Sequence, residues 1–174
     1  MSNHHRVILG VDPGFSVTGY SIVTKIGSQV SLRDCGYLKM SSNHTLSQRT
    51  GTFYAFFQEK INTFQVSGIA LETSFLGKNA QTFLKLGYLR GILYLLADQH
   101  KLELSEFAPR EVKAATTGFG GASKEQVAHM MLRLFPKLAE FRDVERSDVT
   151  DALAVSLCGI WQEQSLLQRL QKGG

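Results

Sequence analysis

The chain has 174 residues, 43% hydrophobic and 20% charged, the composition of an ordinary soluble globular protein with enough length to bury a sizeable core. That balance excludes a long disordered region, and the longest apolar stretch, 91–97, is too short to cross a bilayer. A net charge of +4 permits a polyanionic partner without demanding one.

Residues 1–5 are polar and the apolar run behind them is short, so no signal peptide is expected. Val7, Ile8, Leu9 and Val11 form a β-rich run that stops on Asp12. Pro13-Gly14 then makes a turn, because Pro fixes φ and Gly accepts φ > 0. Asp12 is therefore predicted at a strand end, where the chain leaves the core. Two further strands are predicted over 17–26 and 29–40, joined by a Gly27-Ser28 hairpin into an antiparallel meander. After a polar loop, Leu46, Phe53, Phe56, Phe57, Ile61 and Phe64 recur at helical spacing and predict a helix over 45–64. Gly68-Ile69-Ala70-Leu71 is a short apolar run that ends on Glu72, repeating the pattern of the first strand. The intervening helix makes this strand parallel to the first.

A loop over 73–79 carries Phe75, Gly77 and Lys78. The strongest helix follows over 80–100, with Lys85 near its start. Gly87 and Gly91 lie on one face of it, each costing about 1 kcal/mol relative to Ala. Such a paired cost points to close approach of another backbone, either the sheet or a second subunit. A strand is predicted over 102–107, and Pro109 opens a helix over 109–116 that bears Arg110 and Lys113. The stretch TTGFGGA is a Gly-rich loop, and Ser123 with Gln126 forms a capping box for a helix over 124–134 that starts on Lys124. A charged linker is expected over 136–144 and a closing helix over 146–170. Cys35 and Cys158 lack metal-ligand spacing and read as buried cytosolic thiols. No internal repeat is visible.

Four acidic residues stand apart from the solvated ones. Asp12 and Glu72 each end an apolar strand, while Asp148 and Asp151 open the last helix at i, i+3 in RSDVTDALAVSL. Singly, each has an ordinary explanation: a turn residue, a strand end, or an acid favoured by the helix dipole. Together they would crowd like charges, an arrangement that needs a cation. Oxygen-only ligands favour Mg²⁺ or Mn²⁺, and carboxylates holding two such ions suit phosphodiester hydrolysis. Lys78, Lys85, Arg110, Lys113 and Lys124 are candidates for a track along the phosphates. The Gly-rich loop is not a nucleotide P-loop, because it lacks the G-K-[ST] ending.

The blocks GVDPG, ALETSFLGKNAQTFLKLGYLRG, REVK, GASKEQV and SDVTDALAVSL, in that order, resemble the RuvC-type Holliday junction resolvases over most of the chain. The resemblance implies an α/β, RNase H-like fold: a five-stranded mixed sheet with helices on both faces, residues 1–174 forming one nuclease domain with short frayed tails. It implies that Asp12, Glu72, Asp148 and Asp151 are catalytic and hold two Mg²⁺ per subunit, with Mn²⁺ able to substitute. It implies that Lys113 and Lys124 act near the scissile phosphate or along the backbone, and that Phe75 reaches into the junction and disturbs stacking. It implies a cytoplasmic homodimer, which shifts Gly87 and Gly91 towards the subunit interface. It implies paired nicks in four-way junctions leaving 3′-hydroxyl and 5′-phosphate ends, in recombination and repair. It also implies cooperation with a junction-binding protein, RuvA, and a branch-migration motor, RuvB. Val149 and Thr150, between the last two aspartates, are bulkier than the family pattern and bear on cut-site preference.

Other readings compete with this one. An actin-like or sugar-kinase-type nucleotide-binding protein also opens on a strand, an Asp and a Gly-rich hairpin, but needs two such lobes. A non-catalytic junction- or RNA-binding module would have lost an acidic position. Another RNase H-like nuclease, acting on branched DNA or ribosomal RNA precursors, would share the same carboxylates.

Overall fold

The computed structural model describes residues 5–73, 79–141 and 147–172, with side chains of the last stretch described as far as Gln162. Strands β1 (His5–Asp12), β2 (Val17–Ile26) and β3 (Gln29–Lys39) form the expected antiparallel meander. Gly27, at φ 60°, makes the β2–β3 turn possible. Helix α1 (Leu46–Phe64) crosses over to β4 (Gly68–Glu72), and α2 (Ala80–His100) crosses to β5 (Glu103–Phe107). Both crossovers give parallel pairing, so the sheet order is β3-β2-β1-β4-β5.

Period-two alternation assigns the two faces. Val7, Leu9, Val11, Ile69 and Leu71 pack with α1 and α2. Ile8, Val23 and Ala70 pack on the other side with α3 (Pro109–Thr117), α4 (Lys124–Leu134) and α5 (Ser147–Lys172). Asp12 shares the parity of Ile8, and Glu72 that of Ala70, so both strand-end carboxylates belong to the α5 face.

Helix α5 lies across that face almost in backbone contact. A Cβ on Gly10 would sit 2.3 Å from the Ala152 carbonyl oxygen, and one on Gly19 would sit 2.0 Å from that of Asp148. Gly159 returns the favour from the helix, since its Cβ would lie 2.9 Å from Ile8 Cγ2. The Ser21 hydroxyl, shared between Ala152 O at 3.1 Å and Ser156 Oγ at 3.0 Å, ties the two layers.

Thr45 caps α1 and Ser123 caps α4, each through a capping box with Gln48 or Gln126. Cys35 and Cys158 are free and buried, and burial pushes both thiols up to about 12. The linker expected from residue 136 is instead a 3₁₀ helix, Pro136–Glu140, with Leu138 fully buried beside Phe135 and Met131. Five residues are too few to show a period, so the charged neighbours hid a core anchor. Gly87 and Gly91 do not pack on the sheet. A Cβ at either meets nothing within 4 Å. Both line an open groove of about 780 Å³ between α1 and α2, walled by Leu46, Tyr54, Tyr88 and Leu95.

Candidate active site

Asp12 is the last residue of β1 and pairs across the ladder with Gly19 of β2. The turn behind it is fastened by Thr18, whose hydroxyl donates to Gly14 O at 2.8 Å and accepts from Gly14 N–H at 3.2 Å. On the other side, Val11 lies beside Leu71 in the parallel ladder, so the next residues, Asp12 and Glu72, end neighbouring strands side by side. The close seat of α5 brings its first turn to the same edge, with the Asp148 backbone over Gly19. Val149 and Thr150 turn into the protein and are buried, leaving Asp148 and Asp151 partly exposed. The bulk of Val149 is therefore taken up by the core.

Asp12, Glu72 and Asp151 line one cleft of about 220 Å³, together with Lys113 and Lys124. Val112, Val127 and Val155 supply an apolar wall. Burial, then the charges of Asp151, Asp148 and Glu72, push the Asp12 carboxyl from its ordinary 3.8 up to about 7. Glu72 is raised as well, by burial first and then by Asp151. Lys124 works against both shifts, and Lys113 against that of Glu72. The Lys124 ammonium donates to Asp151 Oδ2 at 2.9 Å, and that partnership raises the lysine's own pKa.

Among the described residues no three His, Cys, Asp or Glu side chains stand as a preassembled metal cage. The donor set nevertheless fits a hard divalent cation. It is made of carboxylate oxygens alone, it comes from three elements meeting at one edge, and neighbouring acids help to raise the carboxyls of both Asp12 and Glu72. Asp12, Glu72 and Asp151 face the cleft directly. Asp148 acts on Asp12 through charge from the neighbouring turn of α5.

The basic residues divide. Lys113 and Lys124 are in the cleft. Arg110 is exposed on α3 outside its lining, and Lys85 is exposed on α2 with its ammonium 5.5 Å from the Phe15 ring. Phe75 and Lys78 lie outside the described residues. Sequence reasoning missed Gly10 and Gly19, which admit α5, and Arg90, which donates to the Glu72 carbonyl at 2.7 Å. Alternate small residues in β1 and β2 were the available signal for the glycines.

A mixed five-stranded sheet with carboxylates at adjoining ends of β1 and β4, completed by acids on a helix laid across them, defines an RNase H-like nuclease. The chain matches the family described as crossover junction endodeoxyribonuclease RuvC over residues 8–159. It is 46% identical over 154 residues to the protein of that name from Chlorobium phaeobacteroides, spanning 88% of this chain and 81% of the relative. It is 36% identical over 152 residues to the one from Natranaerobius thermophilus, spanning 87% and 92%. Among solved structures it resembles T. thermophilus RuvC in complex with Holliday junction substrate, with TM-score 0.78 and 28% identity over 88% of this chain and 92% of that one. The yeast mitochondrial Holliday junction resolvase shares the fold at TM-score 0.65 and 15% identity, over 86% and 75%. The chain belongs to the RuvC family of crossover junction endodeoxyribonucleases, metal-dependent nucleases that resolve Holliday junctions.

Proposed function

We propose that residues 1–174 act as one nuclease domain that binds four-way junction DNA and nicks two opposed strands symmetrically, with Asp12, Glu72, Asp148 and Asp151 as the catalytic carboxylates. The observation that carries this reading is the Asp12 carboxyl, driven up to about 7 by burial and three acidic neighbours in an open cleft beside two lysines. A strand-end turn would not need that crowding. The four carboxylates would hold two Mg²⁺, or Mn²⁺ in their place, which supply activation of water and stabilisation of the leaving oxygen.

The protein's own part is positional and electrostatic. Lys113 and Lys124 draw the phosphodiester into the cleft and offset its charge. Lys124 now pairs with Asp151 at 2.9 Å, and in the same cleft it would be within reach of a phosphate held against the carboxylates. The apolar wall of Val112, Val127 and Val155 keeps bulk water from screening these charges. Water adds to phosphorus, the bond to the 3′ oxygen breaks, and the ends are a 5′-phosphate and a 3′-hydroxyl.

Two opposed strands call for two equivalent sites, which a C₂ dimer provides. The open face bearing Gly87 and Gly91, with Leu46, Tyr88 and Leu95 exposed, is the surface proposed for that dimer. Phe75 is proposed to enter the junction and disturb stacking at the crossover. Lys78, Lys85 and Arg110 are proposed as outer contacts to the phosphates. Partners of RuvA and RuvB type and a cytoplasmic location complete the proposal. Among the described residues no helix is long and apolar enough to cross a membrane.

The test is cleavage of a synthetic four-way junction and of linear duplex, with Mg²⁺ or with chelator. Symmetric nicking of the junction alone is expected, abolished by Asp12→Asn while binding persists. Equal cutting of linear DNA would remove the junction reading, and cutting in chelator would remove the metal mechanism. Phe75→Ala is expected to keep dimerisation and metal binding yet cleave poorly.

A further inference from the structure

Two charged side chains are buried among the described residues, Arg49 at 8% exposure and Arg90 at 9%. Neither has a place in the chemistry above. Arg49 heads the buried stripe of α1, Arg49-Phe53-Phe57-Ile61, one residue per turn. Arg90 stands in the buried stripe of α2 among Leu89, Leu93 and Leu96. An apolar residue would serve the core at either position, and a buried guanidinium is costly unless its donors are taken up.

The donors that are bonded converge on one end of the sheet, while Arg49 Nε is buried without a hydrogen-bond partner among the described residues. Arg49 Nη2 donates to the backbone carbonyl of Phe15, in the turn that follows Asp12. Its guanidinium stacks 3.8 Å from the centre of the Phe15 ring. Arg90 Nη1 donates to the backbone carbonyl of Glu72 at 2.7 Å, and Nη2 pairs with Glu106. Glu106 is held in turn by the Tyr94 hydroxyl at 2.8 Å. Thr73 N–H, the next group after that carbonyl, donates to Phe107 O at 2.8 Å. Arg90 also walls a hollow of about 170 Å³ with Asp12, Pro13 and Glu72.

Each arginine thus comes from a helix on the face of the sheet opposite α5; Arg90 ends on the carbonyl of Glu72 itself, and Arg49 on that of Phe15, three residues after Asp12 in the same turn. Each guanidinium meets a backbone carbonyl rather than a carboxyl of Asp12 or Glu72. Their influence passes through the backbone. We propose that Arg49 and Arg90 are positioning residues that fix the strand ends from which Asp12 and Glu72 are presented, and so set metal affinity and cutting rate without touching DNA. The proposal rests on the reading of Asp12 and Glu72 as the metal-holding carboxylates.

The test uses the full chain with Arg49→Met, Arg90→Met and Arg90→Lys. Mn²⁺ affinity is measured by calorimetry without DNA, junction binding in chelator, cutting in single turnover, and Tm alongside. Both Met variants are expected to bind Mn²⁺ and cut at least tenfold less well while binding junction within twofold of wild type. Arg90→Lys is expected to fall between Met and wild type, because one ammonium can still reach the Glu72 carbonyl. Folded Met variants with wild-type Mn²⁺ affinity and cutting rate would overturn the proposal. If Arg90→Met fails to fold, Arg90→Lys decides: reduced Mn²⁺ affinity supports positioning and wild-type affinity overturns it. Asp12→Asn in the same series separates the two ideas. If it binds Mn²⁺ and cuts normally, the carboxylate reading fails. If it is inactive while the arginine variants are normal, only the positioning proposal fails.

Discussion

Asp12→Asn should make the metal-free protein more stable while removing its activity. The Asp12 carboxyl titrates at about 7 in the folded chain and near 3.8 when free of its surroundings. Between those values the folded protein keeps a proton that the unfolded chain has released. Stability from this group is therefore fully present below about pH 4 and is lost as the pH rises to about 7. At 1.36 kcal/mol per pH unit the loss approaches about 4 kcal/mol, an upper bound because Glu72, whose charge contributes to the shift, is itself raised. Asparagine keeps the shape and removes the charge. In chelator at pH 8, denaturant unfolding should show the variant more stable by about 2–4 kcal/mol, the gap closing towards pH 4. Divalent cation should stabilise wild type more than the variant, through mass action on the folded state. Parallel stability–pH curves for the two proteins, or a variant less stable than wild type at pH 8, would refute the claim that Asp12 is held against repulsion.

Gly19→Ala should destabilise by about 3 kcal/mol and cut poorly, because its Cβ would meet the Asp148 carbonyl at 2.0 Å and lift the start of α5. Wild-type unfolding would show that α5 is not seated there. Lys124→Met removes a charge that lowers the Asp12 and Glu72 pKa values, so both should rise further. The acid limb of the pH–rate profile should then move to higher pH, and an unmoved limb would contradict the coupling. Gly87→Leu places its side chain in open space and should leave the fold intact, adding up to about 1 kcal/mol of helix stability. It should shift sedimentation towards monomer; an unchanged dimer would place the interface elsewhere.

The sequence by itself determined what is local. Val7 to Val11 stopping on Asp12, and Gly68 to Leu71 stopping on Glu72, showed two buried strands ending in acids, because strand burial and turn chemistry act over a few residues. The 3.6-residue period marked α1 for the same reason, whereas the apolar residues of α2 are spread around the helix. It could also pair Asp148 with Asp151, which share one helix. What it could not determine was where that helix would lie. Nothing local to Gly10 and Gly19 shows that α5, more than 120 residues later in the chain, rests on them. Nothing in the local pattern around Arg49 and Arg90 shows that their guanidinium groups end on the backbone carbonyls of Phe15 and Glu72. Gly87 and Gly91 suggested close packing, and only the tertiary structure showed that nothing within the described chain approaches them. Periodicity reports which side of an element is buried. The partner it is buried against, and the distance of approach, follow from contacts between segments far apart in sequence. Here those contacts carry Asp148 and Asp151 to the edge where the strands of Asp12 and Glu72 end.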